Sequence, residues 1–353
     1  MTVNTVPRGR SKGADDNGFD SYKLVTSVNF VTVPVTVKDG DGRLVEGLLR
    51  RDFSVYEDGV AQPITFFTSD PFPLSAAVLV DTAMSDTAMG KVNASLPNIA
   101  SAFSPYDEVA LYSYATHVTK VADFNSLGNQ FTAALAKMKS PGRTGGVPIV
   151  SGPLASGPTV NGRPLDPGVP HTVTVAKEQH SMNDAILRAA LDLSRRPKAR
   201  RKIIFVISDG QEEGSSASYA EVMKVLLANE VSVYAVGVDS AGIPVYDRVS
   251  QVHLSGLGYG NILPKYVSAT GGEYFAEFSR KAIEQAYPKV TEVARNQYTL
   301  GYTTRATAAA NYRTVEVRVH RPSLRVFAKD GYYPLPRATG GSPVNPSDNS
   351  EKK

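Results

Sequence analysis

Residues 73 to 85 read PLSAAVLVDTAMS, and the apolar run from Leu74 to Val80 inside this stretch ends on Asp81. A short run rich in Val and Ala, entered from Pro73 and left through polar residues, predicts a β-strand buried on both faces, the form strands take in parallel sheets. Ligands of such sheets sit just beyond the carboxyl ends of the strands. Asp81, Thr82 and Ser85 therefore fall where a ligand is held. A second run of the same form, Lys202 to Gly210 (KIIFVISDG), closes on Asp209. Two buried strands that each bring an aspartate to one sheet edge point to a hard cation bound through oxygen, Mg2+ or Mn2+. Between them, His180-Ser181-Met182-Asn183-Asp184-Ala185 leads into a helix.

Outward from these runs, strands and helices alternate. Val92, Leu96, Ile99 and Phe103 mark a helix over 91–103 with Pro97 as a kink, and Leu127, Phe131, Leu135 and Met138 mark another. Strands are predicted at 108–114 and 118–124, joined by a turn so short that the pair must be antiparallel. Further strands fall at 202–208, 231–239 and 273–278, with helices at 182–193, 217–229, 262–269 and onward from an N-cap at Ser279. The fold class is α/β: a doubly wound, Rossmann-like domain over 71–295 with a mostly parallel central sheet and one antiparallel strand. A Gly- and Pro-rich insertion at 140–178 interrupts it, and reads either as a lid or recognition loop or as a flexible surface insertion.

Both ends of the chain read differently. VNFVTVPVTVKD from Val28 alternates at period two, and FSVYEDG, PITFFT, QYTLGYT, YRTVEVRVH and LRVFAKDGYYP are short strands with Gly-rich turns. The segments 28–70 and 296–336 are each too small to fold alone, so they are expected to meet in one β-sandwich-like domain into which the α/β part is inserted. Residues 1–27 and 337–353 are polar and Gly-rich and are expected to be disordered.

Composition narrows the function. The chain has 353 residues, of which 42% are hydrophobic and 20% charged, and its formal net charge of +4 gives no reason to infer nucleic acid. The densest basic run, RRPKARRK at 195–202, reads as a solvated helix end. There is no cysteine, which removes disulfides and thiolate metal sites. No apolar stretch reaches the roughly 20 residues of a membrane span, and the first 27 residues show no apolar core of a signal peptide. The five histidines, at 117, 171, 180, 253 and 320, have no paired spacing of the zinc type. VDTAMSDTAMG after the first strand lacks the glycines of a dinucleotide site, and no GxSxG elbow frames a hydrolase nucleophile.

Several blocks now match one family in order: DFSVYEDGVAQPITFF, the strand ending at Asp81, FVISDG, VSVYAVGVD, SATGGEYF, RNQYTLGYTTR and YRTVEVRVHRPSLRVFAKDGYYP. Together they resemble the von Willebrand factor A-related proteins abundant in Acidobacteria, over roughly residues 28 to 335. The resemblance implies an exported bacterial protein, periplasmic or secreted, and a metal-ion-dependent adhesion site of pattern Asp-x-Ser-x-Ser, then Thr, then Asp. Carried over, the first element falls on Asp81, Ala83 and Ser85, the threonine on His180 or Ser181, and the last aspartate on Asp209. Ala83 stands where the pattern has Ser, and a methyl group cannot coordinate a cation, so the site is expected to be degenerate and its metal weak or absent. Asp81, Ser85, Asp209 and Ser181 are the candidate ligands; Thr82, His180 and Glu212 line the candidate partner-binding edge.

The expectation is a non-enzymatic, adhesion-like module that binds a protein partner at this edge. The alternative is a structural cell-envelope component with a vestigial metal site, and a hydrolase is the remote one.

Overall fold

The computed structural model describes residues 29–126, 128–140, 159–160, 163–164, 179–239, 261–304 and 311–334. Four strands come first: β1 (Asn29–Lys38), β2 (Phe53–Glu57), β3 (Val60–Gln62) and β4 (Ile64–Thr68). The alternating part begins with β5 (Leu74–Asp81), α1 (Asp86–Ser95), α2 (Ile99–Ala102), β6 (Glu108–Tyr114), β7 (Val118–Asn125) and α3 (Asn129–Lys137). A two-residue pair, β8 (Thr159–Val160) and β9 (Arg163–Pro164), precedes α4 (Met182–Ser194), β10 (Arg201–Ser208) and α5 (Tyr219–Ala228). Then follow β11 (Val231–Val238), α6 (Leu263–Thr270), β12 (Tyr274–Glu277) and α7 (Arg280–Arg295). The chain returns to strands with β13 (Tyr298–Thr304), β14 (Arg313–Val319), β15 (Arg325–Ala328) and β16 (Gly331–Tyr332).

The central sheet has six strands in the order β12-β11-β10-β5-β6-β7, parallel throughout except for the antiparallel β6–β7 pair. Every residue of β5, β10 and β11 is buried, because helices cover both faces. Successive side chains of a strand point to opposite faces. Ala76, Val78 and Val80 therefore pack with residues of α1, α2, α3 and α7, while Ala77 and Leu79 pack with residues of α4, α5 and α6. This is the α/β architecture that the apolar runs predict. No helix among the described residues is long and apolar enough to cross a membrane.

One element differs from its expected form. The helix anticipated over 91–103 starts earlier and is broken. Ser85 caps α1 by accepting a bond from the Ala88 amide, and a 3-10 turn at Leu96–Asn98 takes in Pro97 before α2. Proline has no amide hydrogen to continue an α-helical ladder, so the chain tightens there.

The two ends of the chain share their sheets. One sheet has the order β15-β1-β13-β4 and the other β16-β14-β2-β3, all pairs antiparallel. A single core that includes Val33, Val35, Phe53, Val55, Leu300 and Tyr302 lies against both. Residues 1–28, 335–353 and most of the 140–178 insertion, whose roles the sequence reading addresses, lie outside the described residues.

The strand order positions the site. From β5 the chain winds one way through β6 and β7, and from β10 it winds the other way through β11 and β12. Winding reverses between β5 and β10, and at such a reversal the flanking connections diverge and leave a crevice at the carboxyl ends. β5 and β10 are direct neighbours, with Val80 opposite Ile207, so Asp81 and Asp209 emerge side by side at that crevice.

Candidate functional site

Asp81 is the last residue of β5 and has no solvent exposure. A carboxylate so placed must have its oxygens satisfied by polar neighbours. Its Oδ1 accepts the Ala83 amide at 2.9 Å, and its Oδ2 accepts the Ser208 hydroxyl at 2.8 Å. The same Oδ2 lies 2.9 Å from Nδ1 of His180, which is itself buried. Nδ1 also stands 4.0 Å from Oδ1 of Asp209. Asp81, His180 and Asp209 thus each bring one ligand-capable atom to within 4.8 Å of the others.

The backbone holds His180 in this place. Its carbonyl accepts the Glu213 amide at 3.1 Å, and the next amide, of Ser181, donates to the Ala115 carbonyl at 2.9 Å. The residue is therefore strung between the loop after β10 and the turn after β6. The start of α4 is fixed in the same way. Glu212 accepts the Asn183 amide at 2.7 Å, and Asp184 accepts the amides of Ser216 and Ala217 at 2.9 and 2.8 Å. Asn183 also receives the Tyr266 hydroxyl at 2.7 Å.

Asp209 is the exposed member, with about a sixth of its side chain open to solvent (16%). Burial, followed by the adjacent charge of Asp81, raises its carboxyl above the ordinary aspartate range. Among the described residues the ion pairs of both aspartates are with His180, and neither meets a lysine or arginine. Behind them lies Tyr114, the last residue of β6, paired in register with Asp81. Its hydroxyl is buried and completes no well-aligned hydrogen bond. Burial first, and then the Asp81 charge, push that phenol well above its usual range.

The residues expected at the site divide into two groups. Asp81, Asp209 and His180 converge, whereas the hydroxyls bond elsewhere. Thr82 donates to the Tyr114 carbonyl at 3.0 Å, Ser181 donates to the Thr116 carbonyl at 3.2 Å, and the exposed Ser85 caps α1. Ala83 is buried and offers only its methyl group. Glu212 accepts the amides of Asn183 at the start of α4 and of Ser215 in its own loop. Ser208 and Tyr114 are members that sequence reading did not single out. Each ends an apolar strand, and strand-end position is the one signal that could have marked them.

The donor set, two carboxylates and an imidazole, is one that divalent cations accept. Of the hydroxyls in the adhesion-site pattern, the one at position 83 is replaced by a methyl group, and those of Ser85 and Ser181 each make a hydrogen bond to the backbone.

No family model matches the chain, and no curated protein matches it. Solved structures do. BatB from Bacteroides thetaiotaomicron overlaps 62% of this chain and 99% of its own length at 16% identity and a TM-score of 0.38. Proximal thread matrix protein 1 from the mussel byssus, in a form with a zinc-occupied MIDAS motif, overlaps 68% of this chain at 15% identity and a TM-score of 0.41. The chain spans about half the length of that protein (50%). A von Willebrand factor type A protein from Catenulispora acidiphila overlaps 88% of this chain and 74% of its own at 8% identity and a TM-score of 0.41. The neighbours thus include von Willebrand factor A proteins.

Proposed function

We propose that this chain is a non-enzymatic binding module of the von Willebrand factor A type. Its site is the carboxyl edge between β5 and β10, where a divalent cation held by Asp81, His180 and Asp209 is completed by a carboxylate from a protein partner. The observation that supports this most directly is the meeting of those three side chains at the reversal of winding. Asp209 leaves one side of the group open to solvent, as an incoming ligand requires. The placing of the Ser208 hydroxyl also favours binding over catalysis. The Ser208 hydroxyl bonds the Asp81 carboxylate, not the imidazole that a nucleophile would need as its base.

The test uses immobilised peptides that carry Asp or Glu, set against the same peptides with Asn or Gln. Binding confined to the acidic set, abolished by EDTA and by Asp209→Asn, is expected. Equal binding of the neutral peptides, or indifference to EDTA, rejects cation-bridged recognition.

A second reading, an assembly component, is favoured by one feature of the terminal strands. Phe30 and Phe66 form an edge-to-face pair at 6.2 Å while 55% and 41% exposed. Concentration-dependent sedimentation that ignores chelation is the signature of that role. The export implied by the family resemblance suits either reading.

A further inference from the structure

We infer that the site is built for a borderline transition cation of the Zn2+ type, not for Mg2+, and that His180 makes this choice. The inference rests on the cation-dependent reading above and names the ion.

Ligand chemistry comes first. Mg2+ requires near-octahedral oxygen ligation and gives up its water reluctantly, so it avoids imidazole. Zn2+ and its neighbours accept imidazole and carboxylate together, in the stability order that rises from Mn2+ towards Cu2+. Here the hydroxyl oxygens that would serve Mg2+ are absent or engaged: Ala83 has none, Thr82 donates to Tyr114 and Ser85 caps α1. The nitrogen is present instead. Nδ1 of His180 points at both carboxylates, 2.9 Å from one and 4.0 Å from the other. Two donors cis to one another on a single Zn2+ lie roughly 3 Å apart, given bonds of about 2.0 to 2.1 Å. The His180–Asp81 separation matches that value, whereas Asp209, 4.0 Å from Nδ1 in a group spread within 4.8 Å, has to draw in when an ion binds. In the metal-free chain the 2.9 Å contact is a hydrogen bond donated by Nδ1 to Asp81, and a cation takes the place of that proton, leaving the imidazole protonated on Nε2.

Charge comes second. Two carboxylates face one imidazole, with no lysine or arginine paired to them among the described residues. Even a protonated His180 offsets one of the two negative charges, and a divalent cation offsets both.

Asp81 is itself held in place by its neighbours. Metal-ligating carboxylates are normally themselves hydrogen-bonded. Asp81 has two such bonds, from the Ala83 amide and the Ser208 hydroxyl, which fix its plane. The Tyr114 hydroxyl is buried beside Ser208, which bonds Asp81 in turn.

Calorimetric titration of the full chain with Zn2+, Mn2+ and Mg2+ tests the inference, together with the visible spectrum of the Co2+-loaded protein. Zn2+ is expected to bind about 100-fold or more tightly than Mg2+. His180→Ala should cost about 100-fold in Zn2+ affinity, change the Co2+ bands and leave the weak Mg2+ affinity as it was. Melting curves report whether that variant folds. If it does not, the double variant Ala83→Ser, His180→Thr serves instead, and it should lose Zn2+ and gain Mg2+. Mg2+ binding as tight as Zn2+, or Zn2+ binding untouched by either variant, overturns the inference and leaves cation-bridged recognition standing. Tight Zn2+ binding through His180 with acidic peptides bound equally in EDTA has the opposite meaning: the ion is right and the recognition wrong. No heat from any cation removes both.

Discussion

At Asp209 two demands conflict. Burial and the Asp81 carboxylate both disfavour its charge, yet a cation site requires that charge. In metal-free protein the pair is therefore a cost to the fold. Asp209→Asn keeps an oxygen that can accept the Gln211 amide, a bond now 3.1 Å long, while removing the repulsion. Its melting temperature in EDTA is expected to match or exceed that of the parent by about 2 to 4 °C, with cation binding lost. A fall of several degrees would mean that the carboxylate is needed for structure. Both aspartates are legible in the sequence, because each terminates an apolar run. The choice between His180 and Ser181 is not. Neighbours on an extended segment point opposite ways, and which one turns inward is set by the carbonyl of Ala115 and the amide of Glu213, distant in the chain. Ser208 is hidden for a similar reason: inside VISDG it reads as part of a strand, and its role comes from facing Asp81 on the neighbouring strand.

At the level of elements, β5 is tied to β6 at the end of the sheet opposite the crevice. Glu108, at the start of β6, accepts the Ser75 hydroxyl of β5 at 2.6 Å and the Arg196 Nε at 2.8 Å. Its partial burial raises its carboxyl, but the bonds from Arg196 and Ser75 and the charges of Arg196 and Arg200 outweigh burial, so the net shift is downward from 4.5. The sign follows from linkage. With the folded value below the unfolded one, the unfolded chain takes up the proton first, and the stabilisation present above pH 4.5 is lost as pH falls through the folded value. Denaturant unfolding between roughly pH 5 and pH 3 should show a smaller loss of stability in Glu108→Gln than in the parent. Equal losses would mean that the ion pair contributes nothing. The central strands β5, β10 and β11 could be read from the sequence because burial on both faces leaves a continuous apolar signal. The break at Pro97 was visible as a kink, but the early start of α1 was not, because Ser85 was weighed as a ligand and serves as a cap.

For the whole molecule, the terminal sheets interleave segments from both sides of the α/β part: β1 lies between β15 and β13, and β2 lies between β14 and β3. Neither end can complete its sheet without the other. Arg201 at the foot of β10 joins the two parts, with buried bonds to Gln297 at 2.5 Å and Thr299 at 2.9 Å. Val33 has no exposure at the centre of β1, so Val33→Asp places a charge against Leu300 in the shared core. A loss of at least about 3 kcal/mol in denaturant unfolding, with new proteolytic cleavage around 298–304, is expected. Intact cleavage resistance would mean that the C-terminal strands stand alone. The sequence by itself determined the layered architecture, the strand ends that carry acid and the strand character of both termini. All three are written in the local rhythm of apolar residues, which reflects burial along one stretch of chain. Only the tertiary structure decided which side chains meet. Asp81, His180 and Asp209 become neighbours through the strand order and the register of β5 on β10. That proximity between distant positions is a product of the packed sheet, and no short stretch of the chain contains it.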